Sequence, residues 1–260
     1  MVDTLFFRSL FISIAPWLGS FLTAFSVAVE AGEFTLYTYH DKPPYFEITH
    51  SGYKGIYKEF VDYLNNQQSD ITVVLSFQPR KRLEDSLHKN KLDGGVLGVN
   101  PLWFNDSEKA KYLWSNAFML DQDVVVTQKT KVFDYKHPKD LIGKRLALPR
   151  GLYFWGVSEL IVDGKIRVYE TSSDLQDLEM VLLDRADATI TSQLTFRYFT
   201  HNRFSPEQFS VFDTPHDKFE RYVLFPRQYN SAYKRLAPVI SNAINDPEWL
   251  AVLHRYHYAQ

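Results

Sequence analysis

Two aromatic residues directly behind a proline pair carry the first chemical signal in the chain: Tyr45 and Phe46 follow Pro43 and Pro44. Each proline fixes φ and restricts the residue before it, so a stiff loop is expected. Rings held out on such a loop can stack on a flat ligand or cover an alkyl chain; the competing reading puts one of them in a core. Asn100 stands between Gly98-Val99 and Pro101. There its amide can meet a ligand carboxylate or carbonyl, or simply cap a turn. Trp103 and Phe104 follow in an irregular stretch, suited to binding from a loop or to packing on itself. The run Arg150-Gly151-Leu152-Tyr153-Phe154-Trp155 is expected to open a helix. Free N–H groups at a helix start bind anions, and Arg150 can add a two-point contact. The aromatics there offer a flat apolar surface or packing between lobes. His40 can reach a ligand from the end of a β-rich run, although a lone histidine is more often structural.

Signals for catalysis are sparse. There is no G-x-S-x-G, no H-E-x-x-H and no phosphate loop. His254 and His257 have metal-ligand spacing but no evident acidic partner. The chain has no cysteine, which excludes disulfides, thiolate catalysis and cysteine zinc sites. No catalytic residue, metal or cofactor is assigned. A net charge of −2 argues against a nucleic-acid surface, and a monomer is expected.

The elements that must position these residues are those of an α/β fold. Phe34–Thr38 reads as a strand running into the Pro-Pro-aromatic loop. After Gly55, Ile56, Phe60 and Leu64 recur at helical spacing. Ile71–Phe77 is a β-branched run of the kind buried in parallel sheets. Leu83 and Leu87 mark a helix after Pro79, and residues 94–99 a third strand. A second cycle has strands at 146–148, 167–169 and 188–191, with helices around 153–162 and after Ser173, whose Gln176 completes a capping box. Extended runs at 122–127 and 222–225, a loop carrying Pro206 and Pro215, and two C-terminal helices divided by Asp246-Pro247 finish the chain. The order β-α-β-α-β, used twice, implies parallel sheets with right-handed crossovers. Ligands collect at the carboxyl ends of such strands.

At 260 residues and 45% hydrophobic, the chain can build two lobes with buried cores. Residues 1–31 read as a signal peptide, with an uncharged run after Arg8 and small residues near its end. The run is also long enough for an uncleaved anchor. A periplasmic location is expected either way.

Several landmarks in order carry a resemblance: the Pro-Pro-Tyr-Phe loop with Gly55 and its helix, Leu87-x5-Asp93-Gly94-Gly95, Tyr112-Leu113-Trp114-Ser115, Asp140-Leu141-x-Gly143-Lys144, and Leu183-Asp184-Arg185-Ala186-Asp187-Ala188. Over about residues 33 to 250 the chain resembles the extracytoplasmic solute-binding proteins of family 3, the amino-acid-type receptors of ABC importers. The resemblance implies a type II periplasmic-binding fold, two lobes closing by a hinge over a small-molecule ligand. It implies lobe 1 at 32–118 and 222–260, lobe 2 at 119–221, crossings near 118–127 and 212–221, and an inner-membrane ABC permease as partner. Tyr45 matches the family's stacking aromatic. The family's carboxylate-binding arginine falls at Glu108, or at Lys109 with a one-residue gap. Ser192 stands where an aspartate normally holds the ligand's amino group. The expected ligand-binding set is therefore Tyr45, Phe46, Asn100, Trp103, Arg150, Gly151, Tyr153 and Ser192. A sensory module without transport, and a dehydratase-like enzyme on the same fold, remain open alternatives.

Overall fold

The computed structural model describes residues 32–68 and 70–256; residues 1–31, expected from sequence to be a signal peptide, and His257 lie outside them. The first half-cycle comprises β1 (Gly32–Thr38), the hairpin β2 (Glu47–Thr49) and β3 (Gly52–Lys54), α1 (Ile56–Gln67), β4 (Ile71–Phe77), α2 (Arg80–His88), β5 (Gly95–Val99) and β6 (Leu113–Trp114). The second comprises β7 (Met119–Gln128), β8 (Arg145–Pro149), α3 (Ser158–Val162), β9 (Arg167–Thr171), α4 (Asp174–Leu182), β10 (Ala188–Ser192) and α5 (Gln193–Asn202). β11 (Phe209–Val211), β12 (Asp217–Phe225), α6 (Asn230–Ala243) and α7 (Pro247–Arg255) close the chain. None of the described helices is long and apolar enough to cross a membrane.

The main strand path is β4-β1-β5-β12-β7-β10-β8-β9. β1 pairs in parallel with β4 and β5, and β8 in parallel with β9 and β10. β12 joins the halves. Its residues 217–221 run antiparallel to β7, while Tyr222 to Leu224 pair with β5. The register slips between Tyr222 and Val223, at the point where β12 changes partner.

Apolar clusters cover both faces of each half. Phe34, Leu36, Phe60, Val223 and Trp249 lie in one cluster and Leu83, Val96 and Trp114 in another. Leu141, Leu146 and Ile190 form a third, and Val124, Leu178 and Phe199 a fourth. The spacing of Ile56, Phe60 and Leu64 buries that stripe of α1 completely, as the periodicity requires. Ser173 accepts from the Gln176 N–H and Asp246 caps α7 ahead of Pro247.

Two expectations need correction. No helix starts at Gly151: α3 begins only at Ser158. Gly151 (φ 76°) and Gly156 (φ 68°) are both in the left-handed region, which interrupts helical backbone. Conversely, 193–202, read from sequence as the start of a loop, is the ten-residue helix α5 capped by Ser192.

Candidate functional site

The Pro-Pro loop is fastened to α1 by its own carbonyls. Ile56 N–H donates to Pro44 O (2.9 Å) and Tyr57 N–H to Tyr45 O (3.0 Å), satisfying two N–H groups of the first helical turn. Gly55 makes this possible, because a Cβ there would stand 2.6 Å from Pro44 O. Tyr45 and Phe46 are consequently fixed, and both are fully buried instead of forming an exposed platform. Phe46 points into the core, stacked on Phe77 at 5.6 Å and against Tyr53. Tyr45 points the other way, towards β7, β12 and the start of α5.

There the Tyr45 hydroxyl donates to Asp121 Oδ2 and is hydrogen-bonded to Ser192 Oγ at 2.9 Å. Ser192 in turn contacts Thr195 Oγ1 (2.9 Å), which donates to Pro43 O (2.9 Å). Arg221, from β12, lies over the Tyr45 ring, its guanidinium carbon 4.3 Å from the centroid. Its Nε and Nη2 reach Asp121 Oδ2 at 3.0 and 2.7 Å. Nη1 donates to Gly98 O (2.9 Å) and Tyr57 Oη (3.1 Å). Phe219 and Trp103 stand near the same guanidinium at 5.1 and 5.7 Å. Gly98 leaves the room: a Cβ there would meet Tyr57 Oη at 2.1 Å.

The Arg221–Asp121 pair is almost wholly out of water, its side chains 2% and 1% exposed. Burial opposes the Arg221 charge, but Tyr57, Tyr45 and Asp121 outweigh it and raise its pKa well above the ordinary value. Burial, with Asp121 beside it, keeps the Tyr45 phenol protonated. His40 Nε2 lies 3.0 Å from Gly98 O and 3.4 Å from Arg221 Nη1. Burial and then the Arg221 and Lys42 charges hold His40 neutral, far below its usual range.

Lys42, in the same loop, reaches across to Asp174 Oδ1 at 3.4 Å. Asp174 also accepts from Thr191 Oγ1 (2.6 Å), and its neighbour Asp177 from Thr171 Oγ1 (2.6 Å). Burial raises Asp177 to about 7. Asp123, two residues after Asp121 on the same face of β7, is likewise raised to about 7 by burial, with Lys42 opposing.

Of the residues expected from sequence, Tyr45, Ser192 and Trp103 converge on this cluster. Asn100 borders it, but its side chain caps the turn 101–104, accepting from Leu102 N–H, and donates to Glu220 O. Arg150 pairs at the surface with Glu170 (3.1 Å) and lines a cavity of about 340 Å³ with Pro149, Thr171, Ser172 and Gln176. Gly151 is exposed beside it. Tyr153 is 54% exposed and bonded to Glu159. Asp121, Arg221, Lys42, Asp174 and Asp177 escape a motif search. For Asp121 and Arg221 the one sequence signal is alternation: Asp121 and Asp123 in β7, and Asp217 and Arg221 in β12 with Phe219 between them, share a face at even spacing; Lys42, Asp174 and Asp177 have none. Among the described residues no group of three or more His, Asp or Glu side chains is placed to hold a metal ion.

No family model matches the chain, and no curated protein does. Solved structures do. The ligand-binding core of GluR0 in complex with L-glutamate superposes with a TM-score of 0.67 at 12% identity, over 87% of this chain and 97% of that one. Holo ArgBP from T. maritima gives 0.63 at 16% identity over 87% and 96%. A substrate-binding protein of an amino acid ABC transporter gives 0.63 at 15% identity over 86% and 99%. The fold is thus the two-lobed, periplasmic-binding-protein-like α/β class, with β7 and β12 as its crossings.

Proposed function

We propose that this protein is a receptor that clamps a small polar or amino-acid-like solute between two lobes, delivering it to an inner-membrane permease from a periplasmic location. Lobe 1 would comprise 32–118 with 222–260, and lobe 2 119–221. The observation that carries the reading is the convergence on one buried point of Tyr45 from the first half, Ser192 from the second, and Asp121 and Arg221 from the strands joining them. A hinge-closing receptor needs such groups from both sides, because ligand affinity can then drive closure. The likeness to amino-acid-binding folds agrees with this, and one of those proteins serves an amino acid ABC transporter. The reading assigns no chemical step: Arg221 is committed to Asp121, Gly98 and Tyr57, and suits recognition and positioning. Tyr45, Ser192 and Trp103 are the proposed ligand-facing residues, with Arg150, Gly151, Tyr153 and Asn100 at the periphery and Phe46 supporting from behind.

A thermal-shift screen over amino acids, polyamines and small carboxylic acids tests it. A ligand of the folded state at a hundredfold excess over Kd stabilises by about 2.7 kcal/mol. A flat response across the panel contradicts the receptor reading.

A further inference from the structure

The main strand path ends in β4 on one side and β9 on the other, and the two edges are finished differently. β9 is five residues long and carries Arg167 and Glu170, short and charged as an open edge should be. β4 has seven residues, Ile71-Thr72-Val73-Val74-Leu75-Ser76-Phe77, with no charge, proline or glycine, the composition of a segment that recruits further strands. Gln78 N–H donates to Thr38 O (3.0 Å), and Thr38 is level with Phe77 in the parallel register. Main-chain groups alternate between the two sides of a strand. Thr72, Val74 and Ser76 therefore face β1, while Ile71, Val73, Leu75 and Phe77 face outwards.

Two carboxamides occupy that outward side. Asn65 Nδ2 donates to Val73 O (2.9 Å), and Val73 N–H donates to Asn65 Oδ1 (2.8 Å). Gln68 Nε2 donates to Ile71 O (2.7 Å), and Ile71 N–H donates to Gln68 Oε1 (3.1 Å). Arg235, from α6, adds a bond to Asp70 O (3.2 Å). A carboxamide offers a donor and an acceptor side by side, the same pair that a neighbouring strand presents. Here that pair is supplied at two successive outward positions.

We propose that Asn65 and Gln68 are guards of the β4 edge: they stand in for the missing neighbouring strand and hold shut a self-association surface whose partner is β4 of a second copy. Two copies related by a two-fold axis would pair these edges antiparallel, each offering the other the same uncharged run. The inference is independent of the receptor reading.

Asn65→Leu with Gln68→Met keeps side-chain size and removes both amides. Sedimentation velocity of the full chain over a concentration series, with backbone amide hydrogen exchange at low concentration, tests the proposal. In the parent, the Ile71 and Val73 N–H groups should exchange slowly although they face away from β1. In the double variant their exchange should speed up about tenfold, the scale of one lost hydrogen bond, with Thr72 and Val74 unchanged. Self-association should tighten by at least the same factor. Adding Thr72→Lys, at an exposed position, should reverse the association, since a charge on an edge strand opposes pairing. Gln68 lies just beyond α1, so Gln68→Met alone serves if the double variant does not fold: Ile71 should then speed up and Val73 should not. Exchange at Ile71 and Val73 as fast in the parent as in the variants overturns the guard role. Association that Thr72→Lys leaves in place, or no gain in association at all, overturns β4 as the surface.

Discussion

The Arg221 guanidinium lies 4.3 Å from the centre of the Tyr45 ring while two of its nitrogens hold one oxygen of Asp121. The loop after the first strand, the two crossing strands and, through Ser192, the second half are thereby tied at a single buried point. A buried pair of this kind owes its stability to complete satisfaction, because desolvation cancels much of the Coulomb attraction.

Removing one partner should therefore hurt more than removing both. Arg221→Met leaves Asp121 charged and unpaired, with an expected loss of about 3–5 kcal/mol in denaturant unfolding. The double variant Arg221→Met with Asp121→Leu should recover much of that loss. If the single and double variants are equally unstable, the pair is not what holds this region.

Tyr45→Phe keeps the ring and deletes the hydroxyl that joins Asp121 and Ser192. The expected cost is about 1–2 kcal/mol, together with looser association of the halves, seen as a larger radius of gyration in small-angle scattering. An unchanged scattering curve would mean that other contacts suffice to hold the halves together.

Gly55→Ala should be strongly destabilising. Its φ of 107° and the 2.6 Å approach of a Cβ to Pro44 O both resist the substitution, at about 1–3 kcal/mol for the backbone conformation alone. Unfolding midpoints compare the variant with Gly32→Ala, where a Cβ meets nothing within 4 Å. Equal midpoints would refute the assigned role of Gly55.

The pH dependence has a definite sign. Asp177 titrates at about 7 in the folded protein against its ordinary 3.8, so the unfolded chain loses that proton first as pH rises. The stabilising contribution of protonated Asp177 is complete below 3.8 and is lost between about 4 and 7. His216, lowered by burial to about 4 from 6.5, acts in the opposite sense, its stabilising contribution being lost as pH falls through the same window. Asp177→Asn removes only the first effect. Unfolding free energies measured from pH 4 to 7 should then rise more steeply with pH in the variant than in the parent; parallel curves would contradict the shift.

Much of the frame was legible in the sequence. The apolar spacing of α1, the β-branched run of β4 and the capping box of α4 each state their element locally, since one face or one cap decides them. α5 was not legible. Its run Gln193-Leu194-Thr195-Phe196-Arg197-Tyr198-Phe199 is rich in β-branched and aromatic residues of modest helix propensity, and packing of Leu194, Phe196 and Phe199 into two cores decides the matter. The site was legible in part. Tyr45 comes from a loop that the proline pair marks, whereas Ser192 is reached from the sequence only through the family resemblance and in the structure ends β10 and caps α5. Arg221 and Asp121 sit inside extended runs a hundred residues apart, and only pairing of β7 with β12 brings them together. A charged residue within a strand normally reads as its solvent face, and here that face is covered by the opposing half.

The central claim is that one ligand engages both halves at once. Titrating isotopically labelled protein with the common amino acids and putrescine, and following backbone amide shifts, tests it most directly. The account predicts that a binding compound perturbs the amides of Lys42, Tyr45, residues 121–123, residues 192–195 and Arg221 together, with one common dissociation constant. Perturbations confined to one half, or two halves titrating with different constants, would contradict it.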